Sequence, residues 1–165
     1  MRMQDFLIER LTRARGWTTG LIADIDESQW FEMPAPGVGH VAWQLGHLAV
    51  SQIALIHVRC LGKSAAECID PALVGTFGKG STPVADASEY PSIAEIRKLF
   101  DETQRDVIEI IRGMSDADLE APAGTEPHPL FDTRAGALGT AAMHETFHAG
   151  QIAMSRRIWG RKPLR

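Results

Sequence analysis

The sequence predicts an all-α protein, a four-helix bundle with a long crossover connection between its second and third helices. Three observations predict it. Four long stretches repeat apolar residues at helical spacing, none alternates as a strand does, and the proline- and glycine-rich segments fall between them. With 165 residues, 44% hydrophobic and 23% charged, the chain reads as one domain over residues 1–165.

The first helix is expected from Gln4 to Ile25, with Leu7, Leu11, Ala14, Thr18, Leu21, Ile22 and Ile25 on its core face. Glu9, Arg10, Arg13 and Arg15 are expected on its wet side. Pro34, Pro36, Gly37 and Gly39 make Asp26 to Gly39 a connection. The second helix should begin near Val38 or His40 and run to Leu61, where Gly62 ends it. It carries almost no charge before Arg59, which marks it as buried. The row His40, Trp43, His47, Ser51, Ala54 and Val58 is expected to face the interior.

Gly62 to Pro91 is the crossover, with a short helical turn expected near Ala65 to Cys68. So long a connection lets the next helix run parallel to the one before it. The third helix opens on Ser92-Ile93-Ala94-Glu95, a capping box, and should end at Gly113. Ile93, Ile96, Phe100, Val107, Ile110 and Met114 give its core face. One more capped turn is expected over Ser115 to Leu119. Ala121 to Asp132 reads as irregular, and the fourth helix should run from Asp132 or Thr133 to Gly160.

The fourth helix carries the chemistry. His144 and His148 are four residues apart, so their imidazoles share one face, on a row that runs Ala137, Ala141, His144, His148, Gln151, Ser155. Met143, Phe147, Met154 and Ile158 form another face, expected to serve packing. His47, within the apolar second helix, is a third histidine able to meet the pair in a bundle core. Three histidines can hold one divalent ion and leave a coordination position open. Zn²⁺ and Ni²⁺ are the leading candidates, and imidazole also suits Fe²⁺ or Cu²⁺. Glu145 and Gln151 are candidates to support the imidazoles. His40 lies nearly two turns from His47 and reads as lining the mouth or capping the helix rather than ligating. Glu145 and His40 are also the candidate catalytic groups. His57 and His128 read as structural or exposed.

His144-Glu145-Thr146-Phe147-His148 also spells the H-E-x-x-H of zinc proteases, in which the Glu is the general base. Those enzymes take a third ligand downstream, and none of the seventeen residues after His148 is His, Asp or Glu.

The net charge of −4 gives no general reason to expect nucleic-acid binding. Arg156, Arg157, Arg161, Lys162 and Arg165 read as a solvated helix end favoured by the helix dipole. No membrane-spanning segment and no signal peptide are expected. Cys60 and Cys68 form no disulfide framework and suit reduced thiols in a cytoplasm.

Trp43-Gln44-Leu45-Gly46-His47-Leu48-Ala49 together with Met143-His144-Glu145-Thr146-Phe147-His148-Ala149-Gly150-Gln151-Ile152 resembles the DinB/YfiT-like family of metal-dependent proteins. The resemblance spans nearly the whole chain. It departs at the start of helix two, where the family often has a serine cap and this chain has Gly37 and Gly39. It implies a four-helix bundle with a divalent metal on His47, His144 and His148. It further implies relatedness to S-transferases and isomerases that use small thiols, and frequent homodimers. The function expected is a metal-dependent thiol S-transferase acting on a small-molecule substrate, with Arg156 a candidate for a cofactor carboxylate. The alternatives are a metal-dependent hydrolase with Glu145 as base, and a non-enzymatic metal-binding stress-response or interaction protein. The last would gain from a fourth ligand such as His40, Glu145 or Cys60.

Overall fold

A computed structural model describes residues 1–164; Arg165, one of the expected terminal cations, lies outside the described residues. The first helix, α1, spans Met3–Ile22 and buries Leu7, Leu11, Ala14, Thr18 and Leu21 as the periodicity requires. It ends three residues before the expected Ile25, yet Ile25 stays in the core at 4% exposure. A 3₁₀ turn at Glu27–Gln29, capped by the Asp26 side chain, then turns the chain so that Trp30 is fully buried.

Helix α2, Val41–Ile53, begins on His40 and continues as a π-helical stretch over Ala54–Cys60. Gly62, at φ +69°, closes it. Such a left-handed residue favours glycine because a Cβ is disfavoured there. Its buried residues include Val41, Ala42, Gln44, Leu45, Leu48 and Ala49. The row expected inside, from Trp43 through Ser51 and Val58, is only half-buried, and Ala54 is exposed. Contrary to expectation, Val41–Cys60 is long and apolar enough to cross a membrane by length and composition, with mean hydropathy 1.3. In the fold 56% of its most apolar window is buried, so its hydropathy is that of a core helix.

The crossover contains the short helix expected near Ala65, α3 (Ala65–Cys68), and a further one, α4 (Pro71–Phe77). Two local signals mark α4: the Asp70 carboxylate accepts from the Ala72 amide at 2.8 Å, and Pro71 occupies the first turn. At seven residues it is too short for periodicity to reveal. Helix α5, Ile93–Gly113, opens on the Ser92/Glu95 capping box and buries Ile96, Phe100, Val107 and Ile111. Helix α6, Asp116–Glu120, repeats the device with Ser115 and Asp118.

Helix α7, Arg134–Ile158, starts on Thr133, whose hydroxyl accepts from the Gly136 amide at 3.1 Å. It closes at Gly160, where the Arg161 amide reaches the Arg156 carbonyl at 2.8 Å. The four long helices meet in a ring: α1 lies along α7, α7 and α5 both touch α2, and α5 returns to α1. The only β features among the described residues are two isolated bridges, Pro122 with Thr133 and His128 with Phe131.

Three expectations are overturned by this packing. Met143, Phe147, Met154 and Ile158 do not pack inward; they are 43%, 62%, 54% and 51% exposed. The face of α7 that does pack is small (Ala137, Ala141, Ala142 and Ala149, with Ile152), and small side chains let helices approach closely. Arg15 is not on the wet side of α1 but 9% exposed, paired across to α7. The terminal cations are not merely a solvated end. Arg156 is 2% exposed, donates to the Leu21 carbonyl at 2.6 Å and pairs with Asp24, and so ties the two chain ends together.

Candidate metal centre

His47 is carried by α2, one turn after Gln44, and His144 and His148 by successive turns of α7. The fold brings the three together: one nitrogen from each lies within 4.8 Å of the others. The Nε2 atoms of His47 and His144 are 3.3 Å apart, and those of His144 and His148 are 3.2 Å apart.

The second nitrogen of two of these rings is committed. His47 Nδ1 donates to the Phe77 carbonyl at 2.7 Å. His148 Nδ1 donates to Gln44 Oε1 at 3.1 Å, and Gln44 itself is oriented by its Nε2, which donates to the Gly39 carbonyl at 2.8 Å. A neutral imidazole whose Nδ1 holds the proton carries a lone pair on Nε2. Two such lone pairs therefore point at the third imidazole, more acceptors than one neutral His144 can satisfy with a single N–H. This donor set fits a divalent cation. Tetrahedral coordination with bonds of about 2.0–2.1 Å places ligand nitrogens about 3.3 Å apart, which the separations of 3.3 and 3.2 Å match.

Electrostatics agree with that fit. Burial pushes the His144 pKa down to about 4, with the neighbouring His47 adding to the shift. Burial, then His144 and His47, push His148 to about 3. Burial also lowers His47, against the pull of the Phe77 carbonyl. All three rings are unprotonated at neutral pH, the state in which imidazole binds a metal.

The surroundings hold this arrangement. Trp43 stacks on His47 at 4.7 Å with planes 10° apart, and its own Nε1 donates to the Thr76 carbonyl and Ser81 hydroxyl at 3.1 and 3.2 Å. Gly46 explains how Phe77 reaches the site. A Cβ on Gly46 would sit 2.4 Å from the Phe77 ring, so only glycine lets α4 dock there and aim its last carbonyl at His47. Gly46→Ala is expected to lower metal affinity about 10–100-fold by displacing that carbonyl, read by competition with a chromogenic chelator. Unchanged affinity would mean that the Phe77 carbonyl does not position His47.

The remaining sequence candidates are placed elsewhere. His40 is fully buried and caps α2: its Nδ1 accepts from the Trp43 amide at 3.1 Å while Nε2 donates to the Val84 carbonyl at 3.0 Å. It thus takes the capping part expected for it, edge-on to Phe31 and Tyr90, with both nitrogens engaged. Glu145 follows His144 but turns to Arg15, which holds its two oxygens at 2.6 and 3.3 Å. Gln151 is exposed, and Gln44 takes the supporting part foreseen for it. Arg156 is tied to Leu21 and Asp24 as described. Cys60 is buried with its thiol pushed up to about 11, chiefly by desolvation. His57 pairs with Asp106 at 2.7 Å, and His128 stacks on Phe131. Among the described residues no Cys, Asp or Glu joins the three histidines.

Gln44 and the Phe77 carbonyl were missed as supports of the histidines by sequence reasoning, whereas Trp43 was expected on the interior row beside His47. Gln44 had a signal, an uncharged polar residue one turn before His47 in an otherwise apolar helix, which must find a partner when buried. A backbone carbonyl has none.

One of the three histidines, His144, borders a cavity of about 680 Å³. His144 and Ser51 lie on its wall, which is otherwise mostly apolar: Leu48, Leu55, Val58 and Val74 among others. Ser51 Oγ is 3.4 Å from His47 Nε2.

Residues 10–152 match the family model described as the DinB superfamily. No curated protein matches the sequence. Among solved structures, a conserved protein from Enterococcus faecalis is similar in fold, with a TM-score of 0.69 at 20% identity. The match covers 96% of this chain and 97% of that one.

Proposed function

Because the chain belongs to the DinB superfamily, we propose that it is a divalent-metal-dependent enzyme of the thiol S-transferase type. His47, His144 and His148 hold the metal, and a small thiol takes the open position beside them. The observation that carries this reading is a donor set of three imidazoles, one of which, His144, lies on the wall of a cavity, with no fourth Cys, Asp or Glu ligand among the described residues. Structural sites close with four protein ligands, whereas catalytic ones keep a position for substrate. A divalent ion held there supplies the Lewis acidity that keeps a bound thiol deprotonated at neutral pH.

The chain's own residues do the rest. Phe77 and Gln44 fix the tautomers that turn the lone pairs of His47 and His148 inward. Trp43 keeps the His47 ring from rotating. Ser51 offers a hydroxyl to orient a group at the open position. The apolar wall excludes water that would compete for an electrophile. The hydrolytic alternative needs a base beside a bound water, and Glu145, the carboxylate on the cavity wall, is neutralised by Arg15.

The test is elemental analysis of untagged protein, then titration of the Co²⁺-substituted form with glutathione and 2-mercaptoethanol. One metal per chain and a ligand-field spectrum that shifts with thiol, but not with ethanol, is the expected result. A metal-loaded protein whose spectrum ignores thiols would rule out the transferase reading. A protein that takes up no metal on reconstitution would rule out the metal centre as well.

A further inference from the structure

The cavity beside the triad is apolar, but its wall carries two cations, Lys79 and Arg59, that no carboxylate answers among the described residues. Its single carboxylate, Glu145, is already held by Arg15 through both oxygens. Arg59 donates to the Glu126 carbonyl and lies 5.6 Å over the Phe131 ring, yet its Nε is buried without a partner. A buried donor without a partner, as Arg59 Nε is, costs stability that an anionic ligand on the same guanidinium can offset.

The two cations come from different elements of the wall. Lys79 follows Gly78 and Phe77, whose carbonyl holds His47. Arg59 lies eight residues beyond Ser51, in the π-helical continuation of α2. In an unbroken α-helix it would sit about 80° round the axis from Ser51. The π-helical turns over Ala54–Cys60 unwind the helix there and bring Arg59 onto the wall that Ser51, Leu55 and Val58 share. Such turns cluster at functional sites because they re-aim side chains.

We propose that this cavity binds an elongated apolar molecule bearing an anionic group, with the apolar body between α2 and α7 and the anion on Arg59 or Lys79. The proposal deepens the functional reading above by naming the class of substrate, and rests on it only for the chemistry at the triad. The apolar length is supplied by Leu55, Val58, Val74 and Phe147. Phe147 is 62% exposed in the single chain, at the solvent side of that wall.

The probes are decanoate and the uncharged decan-1-ol, titrated calorimetrically into the full chain as purified, with metal content measured on the same samples. Wild-type protein is expected to prefer decanoate by about tenfold, the scale of one charge-assisted contact. Lys79→Met should weaken that preference and lessen its dependence on salt. Arg59→Met with Lys79→Met should abolish it, leaving decan-1-ol binding within twofold of wild type. Lys79 is exposed, so its variant keeps the test valid if the Arg59 variant disturbs the fold. No preference for decanoate in the wild type would overturn the proposal. So would a preference that survives the double substitution, since the anion would then be held elsewhere, at the metal for example. If metal is absent but the preference follows Lys79 and Arg59, the cavity assignment stands and the metal-enzyme reading falls.

Discussion

Replacing His148 with alanine is expected to lower metal affinity on the order of a thousandfold while the helices remain folded. Structural zinc sites with four protein ligands contribute about 10–16 kcal/mol of apparent binding energy, so one ligand in a smaller set carries several kcal/mol. His148 is the most buried of the three imidazoles, at 7% exposure, and its Nδ1 is fixed by Gln44. Alanine there removes a donor that no neighbour can replace, because Glu145 and Cys60 are turned away or protonated. Gln44→Leu should have a smaller effect, about 10–100-fold, since it frees the ring without deleting it. The check is elemental analysis after dialysis against a weak chelator. Stoichiometric metal in the His148 variant would remove the centre from these residues.

Glu145→Leu is expected to destabilise the fold by about 3–5 kcal/mol, the usual cost of stranding one half of a buried ion pair. Arg15 would stay charged, at 9% exposure, with the Phe100 carbonyl at 2.6 Å and the Phe100 ring at 3.3 Å as its remaining partners. Burial already pushes the Arg15 pKa down, and Glu145 is the main influence opposing that shift. Arg15→Met in the same chain should recover most of the loss, because two apolar side chains replace the pair together. Urea unfolding of the wild type, both single variants and the double variant closes the cycle, with a coupling of at least about 2 kcal/mol expected. Simple additivity would mean that the pair contributes nothing. Metal content separates this role from the protease-like one. Glu145→Leu should keep its metal, and losing it would place Glu145 in the centre after all.

Much of the fold was legible. The capping boxes at Ser92 and Ser115, Thr133 at the start of α7, and Gly62 and Gly160 at helix ends are local signals whose partners lie within a few residues. Helix α4 was not read, although Asp70 and Pro71 announce it. The apolar face of α7 was assigned the wrong way round. Hydrophobicity placed Met143 and Phe147 inside, while packing against α1 selected the alanine face for its closeness. Arg15 and Arg156 misled for a related reason. A charge reads as solvent-facing until its partner, Glu145 or Asp24, is brought to it from more than a hundred residues away.

The sequence by itself determined the four long helices, most of their ends, and the three histidines that the fold gathers, because periodicity, capping and i,i+4 spacing are short-range properties of the chain. Only the tertiary structure decided what supports those histidines: Gln44 rather than Glu145 or Gln151, and the Phe77 carbonyl admitted by Gly46. It also decided that Arg59 and Lys79 share a cavity wall with His144. Those contacts join residues about twenty to a hundred apart, and a hydrogen bond or a shared wall is set by distance in space, for which a linear pattern carries no record.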